Sequence, residues 1–233
     1  MIPVDREEKR RTILRAALAV FARKGYERAT ISDIASEAGI GKGVVYDYFR
    51  SKEDLFADLF EFLFPMNDEV FGAVVKVAAT PAAEIQAVAG AVLKHYESLG
   101  DYFNVVAQFW ARGQSETAAP RFSENWGRLF TFCRAQVADS VRRGVASGEF
   151  RADLEPDATA WSIIAVIDGS ILQWLHSRGQ KSLSEQGLQA LRLLLRGMAP
   201  AGAAGSEAPK DFFDGRSATE RSVIEDAAAG SPS

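Results

Sequence analysis

The chain has 233 residues, a formal net charge of −4, one cysteine and two histidines. This length allows a sizeable core. A single cysteine excludes an internal disulfide, and two histidines beside it leave no Cys/His cluster for zinc. No apolar run of about 18 residues, the length of a membrane span, occurs, and the N-terminus is charged, unlike a signal sequence. We therefore expect a cytoplasmic protein without a membrane partner.

The charge is unevenly divided along the chain. Residues 1–52 hold eleven Lys and Arg against seven Asp and Glu, whereas the remaining residues hold sixteen against twenty-four. A basic segment joined to an acidic one turns the basic segment toward a polyanion. The division therefore predicts that residues 1–52 contact nucleic acid.

The first predicted helix runs from Arg6 to Lys24. Its apolar residues recur at helical spacing; they are Ile13, Leu14, Ala17, Leu18, Val20 and Phe21. Gly25 follows the basic last turn, as expected at a helix C-terminus.

Two short helical segments with a glycine between them are predicted over Ile31–Phe49. Thr30 and Asp33 form a capping box at the start of the first segment. Gly39 accepts a positive φ and turns the chain. The second segment, Lys42–Phe49, keeps apolar residues inward and leaves five residues on its outer surface: Lys42, Gly43, Val44, Tyr46 and Tyr48. This pattern is typical of a helix-turn-helix whose second helix enters the DNA major groove.

Ser51 and Asp54 open the next predicted helix. Lys52 lies in the first turn of this helix, where the helix dipole disfavours a cation. A phosphate bound at the same N-terminus would make a lysine favourable at this position. The helix is strongly apolar up to Phe64, and Pro65 predicts a bend or a break there, with helix resuming to about residue 78.

The rest of the chain is also predicted to be helical. Four further helices cover 82–99, 102–111, 120–147 and 183–198, and a fifth, opened by Asp153 or Pro156, covers 161–176. The fold class is therefore all-α with about nine helices. Twenty of the 34 residues from Pro200 onward are Ala, Gly, Ser or Pro, so we expect residues 199–233 to be mostly disordered.

Two stretches resemble one protein family. The run GYERATISDIASEAGIGKGVVYDYFRSKEDLF, residues 25–56, is similar to the N-terminal domain of TetR/AcrR-type transcriptional regulators, and residues 144–175 look like their C-terminal half. The resemblance implies an N-terminal three-helix bundle containing the helix-turn-helix in residues 1–52. It also implies a helical ligand-binding and dimerisation domain in residues 53–198.

The resemblance further implies a homodimeric, ligand-responsive regulator that binds a near-palindromic double-stranded operator. Repression is the expected mode, and activation stays open. Thr30, Tyr46, Tyr48 and Lys52 would hold phosphates. Base edges would be reached by Lys42, Gly43 and Val44, and groove chemistry allows Lys to meet guanine and Val to meet a thymine methyl.

The two last helices are too apolar for one side of a monomer. They predict a two-fold four-helix interface, two helices from each subunit. The residues expected in it are Asp168, Leu172, Leu175, Leu188, Leu191 and Leu195.

Aromatic residues from several helices suggest a cavity for a small, largely apolar effector. Most such residues are ordinary core, but the family senses small molecules. The expected lining is Phe60, Phe64, Phe103, Asn104, Phe109, Trp110, Trp126, Phe130, Trp161 and Gln173.

Two other functional classes remain open from the sequence. One is a helical protein-binding adaptor that does not recognise DNA. The other is a helical enzyme using Asp168, a carboxylate within an apolar helix. No phosphate loop, nucleophile elbow or metal-ligand spacing occurs, so we expect no catalytic residue, no cofactor and no metal.

Overall fold

The computed structural model describes residues 4–64, 78–113, 120–177 and 180–201. Within these ranges the regular structure is entirely helical, with nine α-helices and one 3₁₀ turn, Gly100–Tyr102. The α-helices are α1 (Val4–Lys24), α2 (Ile31–Glu37), α3 (Lys42–Tyr46), α4 (Lys52–Leu63), α5 (Pro81–Ser98), α6 (Phe103–Gly113), α7 (Pro120–Ser147), α8 (Pro156–His176) and α9 (Leu183–Met198). The all-α prediction is confirmed.

The chain forms two compact units. The first unit comprises Met1–Met66 and Leu99–Leu129, and the second comprises Asn67–Ser98 and Phe130–Ser233. Helices α1 to α4 therefore share a unit with α6 and the beginning of α7. The functional boundary predicted after residue 52 stays a prediction, and the tail from residue 202 lies outside the described residues.

Helices α2 and α3 form around the predicted glycine turn. Thr30 and Asp33 make the capping box, and Gly39 has a φ of 65°. Helix α3 ends at Tyr46, three residues earlier than predicted. The chain tightens there, because the amide of Tyr48 donates to the carbonyl of Val45 at 3.1 Å, an i to i−3 bond.

Helix α4 ends at Leu63 as the following proline requires. Phe64 leaves the helical region with φ −125° and ψ 69°, since the residue before a proline is disfavoured in the α conformation. The helix predicted to resume up to residue 78 falls on residues 65–77, which lie outside the described residues.

Aromatic rings fill the centre of the first unit. Phe56 lies 4.6 Å from Phe109 and 5.3 Å from Phe122, measured between ring centroids. Phe60 meets Phe109 at 5.3 Å and Trp126 at 5.5 Å. Helices α4, α6 and α7 are thus joined by ring contacts.

The second unit packs α5, α8, α9 and the later part of α7 around an apolar core. The buried members of that core are Ala82, Ile85, Ala89, Val137, Ala138, Val141, Phe150, Ala160, Ile163, Leu191, Leu195 and Met198. Glu97 at the end of α5 caps α9, because its carboxylate accepts bonds from the Leu183 amide at 3.0 Å and the Ser184 hydroxyl at 2.7 Å.

Helix α8 begins at Pro156, with Glu155 as its N-cap. By length and composition α8 could cross a membrane. One such helix is weak evidence for a membrane span, because core helices of soluble proteins meet the same criterion. Only Ala160, Ile163 and Ile171 of its residues are buried. The described residues therefore cover few of the apolar side chains of α8 completely.

Candidate nucleic-acid interface

Helix α3 presents one face outward and anchors the other. Val45 is fully buried and Phe49 is 1% exposed, so these two residues fix the helix to the first unit. Lys42 and Gly43 are exposed, Tyr46 is 49% exposed, and Val44 and Tyr48 are partly buried. The five residues expected on the outer surface of this segment thus lie at or near the surface.

Cations accompany the aromatic residues of this face. The Lys42 ammonium lies 5.9 Å from the centre of the Tyr46 ring, and the Arg6 guanidinium lies 5.7 Å from that of Tyr48. These contacts place positive charge beside both tyrosines. The surface has the cationic and aromatic character that phosphate and base contacts require.

Thr30 is exposed at the start of α2, and its hydroxyl is already engaged. It accepts a bond from the Asp33 amide at 3.2 Å and donates to the Asp33 carboxylate at 2.9 Å. The ammonium of Lys24 lies 2.6 Å from the same carboxylate. Lys24, together with Thr30, lowers the pKa of Asp33 to about 2. The capping box is therefore a charged, fixed edge of the helix-turn-helix.

Lys52 points back into its own unit. Its Nζ donates to the carbonyls of Tyr26 at 2.9 Å, Ala29 at 3.1 Å and Glu27 at 3.4 Å. An ammonium has three donors, and all three have protein acceptors here. The phosphate role expected of Lys52 is therefore not supported by this geometry, which instead makes it a tie for the turn between α1 and α2.

Helix α6 also contacts the turn between α1 and α2. The side-chain oxygen of Gln108 accepts a bond from the Tyr26 amide at 2.6 Å. The guanidinium of Arg112 lies 4.0 Å from the centre of the Tyr26 ring and 2.6 Å from the Glu27 carboxylate. These two contacts could not be predicted from local spacing, because the turn that the residues bind is about eighty positions away.

The described residues expected to line an effector cavity are divided between the two units. In the first unit, Phe60 contacts Phe109 and Trp126, and Phe64 is half-buried beside Phe60; Phe130 is half-buried in the second unit. The expectation fails for Trp161, which is 62% exposed, and for Gln173, which is also exposed, because α8 turns both outward. The side chains of Phe103, Asn104 and Trp110 lie outside the described part of the structure.

The expected interface residues divide between two faces of α8 and α9. Leu191 and Leu195 are 0% and 5% exposed, so they belong to the core of their own chain and are not available to a partner. Leu188 packs against that core and is partly buried. Leu172 is 46% exposed, and Leu175 and Asp168 are half-buried.

Two exposed apolar side chains on these helices were not predicted as interface residues. Trp161 lies on α8, and Leu193 on α9 is 59% exposed. Leu193 falls between two leucines that face the core, so helical spacing places it on the opposite side. That spacing is the signal by which it could have been found.

Asp168 is a half-buried carboxylate of the second unit. Burial raises its pKa from 3.8 to about 6. Burial, reinforced by the Asp168 carboxylate, also raises the pKa of the Cys133 thiol to about 11. A thiol that stays protonated at neutral pH is a poor nucleophile, so this pair has the character of packing rather than of a catalytic site.

Helices α2 and α3, joined by a glycine turn, form a helix-turn-helix whose second helix is short, exposed and carries a cation. This arrangement is typical of a regulator of transcription. Residues 13–59 match the family model for bacterial regulatory proteins of the tetR family, and residues 81–204 match the C-terminal domain of BetI-type transcriptional repressors. The chain belongs to the TetR family of bacterial transcriptional regulators. Members of this family are regulators rather than enzymes, which decides against the adaptor and enzyme alternatives.

Curated relatives and solved structures agree with this membership. The chain is 26% identical over 197 residues to the transcriptional repressor KstR2 of Mycolicibacterium smegmatis, covering 84% of this chain and 93% of that protein. FadR of Bacillus subtilis in complex with stearoyl-CoA is similar with a TM-score of 0.66 and 25% identity, covering 80% of this chain and 97% of that one. A regulator of Saccharomonospora viridis in complex with choline is similar with a TM-score of 0.70 and 25% identity, covering 82% of this chain and 96% of that one.

Proposed function

We propose that this TetR-family repressor acts as a homodimer that inserts two copies of α3 into successive major grooves of a near-palindromic operator. The observation that carries the proposal is the pairing of a buried Val45 with an exposed Lys42 and Tyr46 on one short helix. In a two-fold dimer the reading helices would lie about 34 Å apart, one helical turn of DNA.

The residues of this surface fall into two groups: those that position the protein on the DNA backbone and those that read the base sequence. Tyr46 and Tyr48 would contact phosphates through their hydroxyl groups. Thr30, whose hydroxyl hydrogen is donated to Asp33, would instead fix the start of α2 beside them. Lys42, Gly43 and Val44 would approach base edges, where Lys donates to guanine, Val meets the thymine methyl and Gly allows close approach. Lys52 would act indirectly, by holding the turn that presents α2 and α3.

The dimer would form through α8 and α9. Trp161, Leu172 and Leu193 are all at least 46% exposed on these two helices. Apolar surface of this kind marks an interaction site, and closed two-fold assembly is the commonest way to cover it. The half-buried Asp168 and Leu175 would lie near or within that contact.

The effector would be a small, largely apolar molecule. The solved relatives that hold stearoyl-CoA and choline support a small-molecule effector without fixing its class. Effector binding would favour a dimer whose two reading helices are wrongly spaced for the operator. The shift cannot exceed the difference in affinity of the effector for the two conformations.

A selection of random duplexes with the purified full-length protein tests the DNA-binding proposal. We expect enrichment of a two-fold symmetric site with half-sites about ten base pairs apart. Lys42→Ala should relax the preference at one position of each half-site, while Lys181→Ala, which removes an equal charge from an exposed site in the second unit, should not. Enrichment of an asymmetric site, or no enrichment, would contradict the proposal.

Competition identifies the effector class. Long-chain acyl-CoA and choline are added separately to the complex with the selected duplex, with free coenzyme A as the control for the polar part of the thioester. We expect release by the acyl-CoA at concentrations where coenzyme A has no effect. Release by choline alone would overturn the apolar assignment.

A further inference from the structure

We propose that Arg121, at the beginning of α7, is a positioning residue for the reading helix α3. The inference rests on the proposed function of α3 in DNA reading. Arg121 touches none of the residues expected to contact DNA. It acts through two carboxylates of α4, each of which leads to the chain immediately after α3.

Arg121 joins two acidic residues of α4 with separate nitrogens. Its Nη1 donates to the carboxylate of Asp54 and its Nη2 to that of Asp58, while Glu61 lies 3.7 Å from Nη2. These three acids lie on one face of α4, because they are spaced by four and three residues. Without a cation between them their charges would repel.

The first path runs through Asp54. Its second carboxylate oxygen accepts a bond from the Arg50 amide at 3.1 Å. The Asp54 amide in turn donates to the Ser51 hydroxyl at 3.1 Å, which caps α4. Asp54 therefore ties the two residues that follow Phe49 to the N-terminus of α4, and Arg121 fixes the orientation of that carboxylate.

The second path runs through Asp58, whose side chain is only 7% exposed. Its other carboxylate oxygen accepts a bond from the Arg10 guanidinium at 2.6 Å. That guanidinium also lies 5.7 Å from the centre of the Phe49 ring. Since Phe49 anchors the turn after α3, Arg10 and Asp58 connect Arg121 to the same place as the first path.

The two paths end within one residue of each other, at Phe49 and Arg50. Asp58 is held between two guanidinium groups, those of Arg10 and Arg121. Asp54 is held between the Arg121 guanidinium and the Arg50 amide. Loss of Arg121 would therefore free Asp54 and Asp58 together and loosen the junction between α3 and α4. Specific recognition needs the reading helix in one pose, but non-specific phosphate attraction does not.

The test compares Arg121→Gln with Arg142→Gln in the full-length protein. Arg142 is similarly exposed on α7 and pairs only with Asp139, three residues away, among the contacts described. Both variants remove one positive charge. Affinity is measured for the selected operator and for an unrelated duplex at the same salt concentration. Wild-type protein that prefers neither duplex would refute the proposed function itself, so the two failures are distinguishable.

We expect Arg121→Gln to weaken operator binding about tenfold relative to Arg142→Gln, the scale on which a residue acts through others. Affinity for the unrelated duplex should be equal in the two variants. Operator affinity equal to that of Arg142→Gln would overturn the inference, as would an equal loss on both duplexes.

Asp54→Asn provides a second variant that leaves Asp58 paired and tests the first path alone. It should show a smaller loss in the same direction, confined to the operator. Amide hydrogen exchange distinguishes local loosening from a general loss of stability. The exchange rate should rise in residues 42–50 and not in residues 12–21, whereas general destabilisation would raise it in both. Wild-type exchange in residues 42–50 of both variants would overturn the inference even if either variant were less stable.

Discussion

The Lys52 ammonium lies 4.4 Å from the centre of the Tyr26 ring and donates to the carbonyl of the same residue at 2.9 Å. One side chain of α4 thus binds both the ring and the backbone of the turn that follows α1. The guanidinium of Arg112 lies 4.0 Å from the centre of the same ring. Two cations from different helices therefore contact this turn.

Lys52→Met should destabilise the protein while leaving the salt dependence of DNA binding unchanged. We expect a loss of about 1–2 kcal/mol, since hydrogen bonds from a charged donor to carbonyls are removed and the apolar stem is kept. A direct phosphate contact would instead lower the slope of log affinity against log salt by about one. Denaturant unfolding and a salt titration distinguish the two, with Lys181→Met as the control.

Leu193→Glu should convert the dimer to monomers. A carboxylate at a position that becomes buried on association must be desolvated or protonated, and this opposes dimerisation. The fold of the single chain should be unaffected, because Leu193 is 59% exposed there and lies outside the core. Sedimentation velocity measures the change. Ala146→Glu adds the same charge to an exposed position of α7 and should remain dimeric; a dimeric Leu193→Glu would show that another surface mediates assembly.

Two glycines of α7 should respond oppositely to alanine. A Cβ at Gly144 would clash with the ring of Phe150, which is 3% exposed, so Gly144→Ala should cost about 1–3 kcal/mol. Gly127 has open space at the same point, and Gly127→Ala should stabilise by up to about 1 kcal/mol through helix propensity. Thermal unfolding of both variants gives the comparison, and a stabilised Gly144→Ala would show that Phe150 can move aside.

Asp168→Asn should stabilise the protein above pH 6. Because the folded state raises the pKa of Asp168 from 3.8 to about 6, it binds the proton more tightly than the unfolded chain does. The contribution of this group to stability therefore falls as the pH rises from about 4 to 6, and the cost persists above that range. We expect a gain of about 1–2 kcal/mol at pH 7.5 that vanishes near pH 4.

Denaturant unfolding across this pH range measures the effect of Asp168→Asn. Asp153→Asn is the matched control, since that carboxylate is 74% exposed. A loss of stability at pH 7.5 would show that Asp168 has a cationic partner in the assembled protein.

Elements with strong local signals were predicted well. The bounds of α7 and α9 agree with the structure, since Pro120 can occupy a first helical turn, Gly148 adopts a φ of 77° after α7, and Ser182 caps α9. Thr30, Asp33 and Gly39 likewise determine the start of α2 and the turn after it. Each of these signals acts within a few residues, so one sequence suffices to find it.

Residues whose roles depend on distant partners were not predictable. Leucines occur on more than one side of α9. Helical spacing separates Leu193 from Leu191 and Leu195, but only the packing of α5 and α8 decides which of these two sides faces inward. The helix dipole and the family resemblance both predict a phosphate contact for Lys52, whereas its acceptors lie 23 to 26 residues earlier in the chain. Arg121 is 67 residues from Asp54, and no spacing rule connects them.

The hydrogen bond from the Tyr26 amide to Gln108 has a consequence for protein engineering. A chimaera that exchanged residues 1–52 for those of another regulator would keep Gln108 and Arg112 but remove the turn that they hold, and Arg121 would keep its α4 carboxylates without the original Arg10. Transplanting a new operator preference into this scaffold therefore requires the whole first unit, residues 1–66 and 99–129, to be exchanged together, as one cassette made of two separate stretches of the gene.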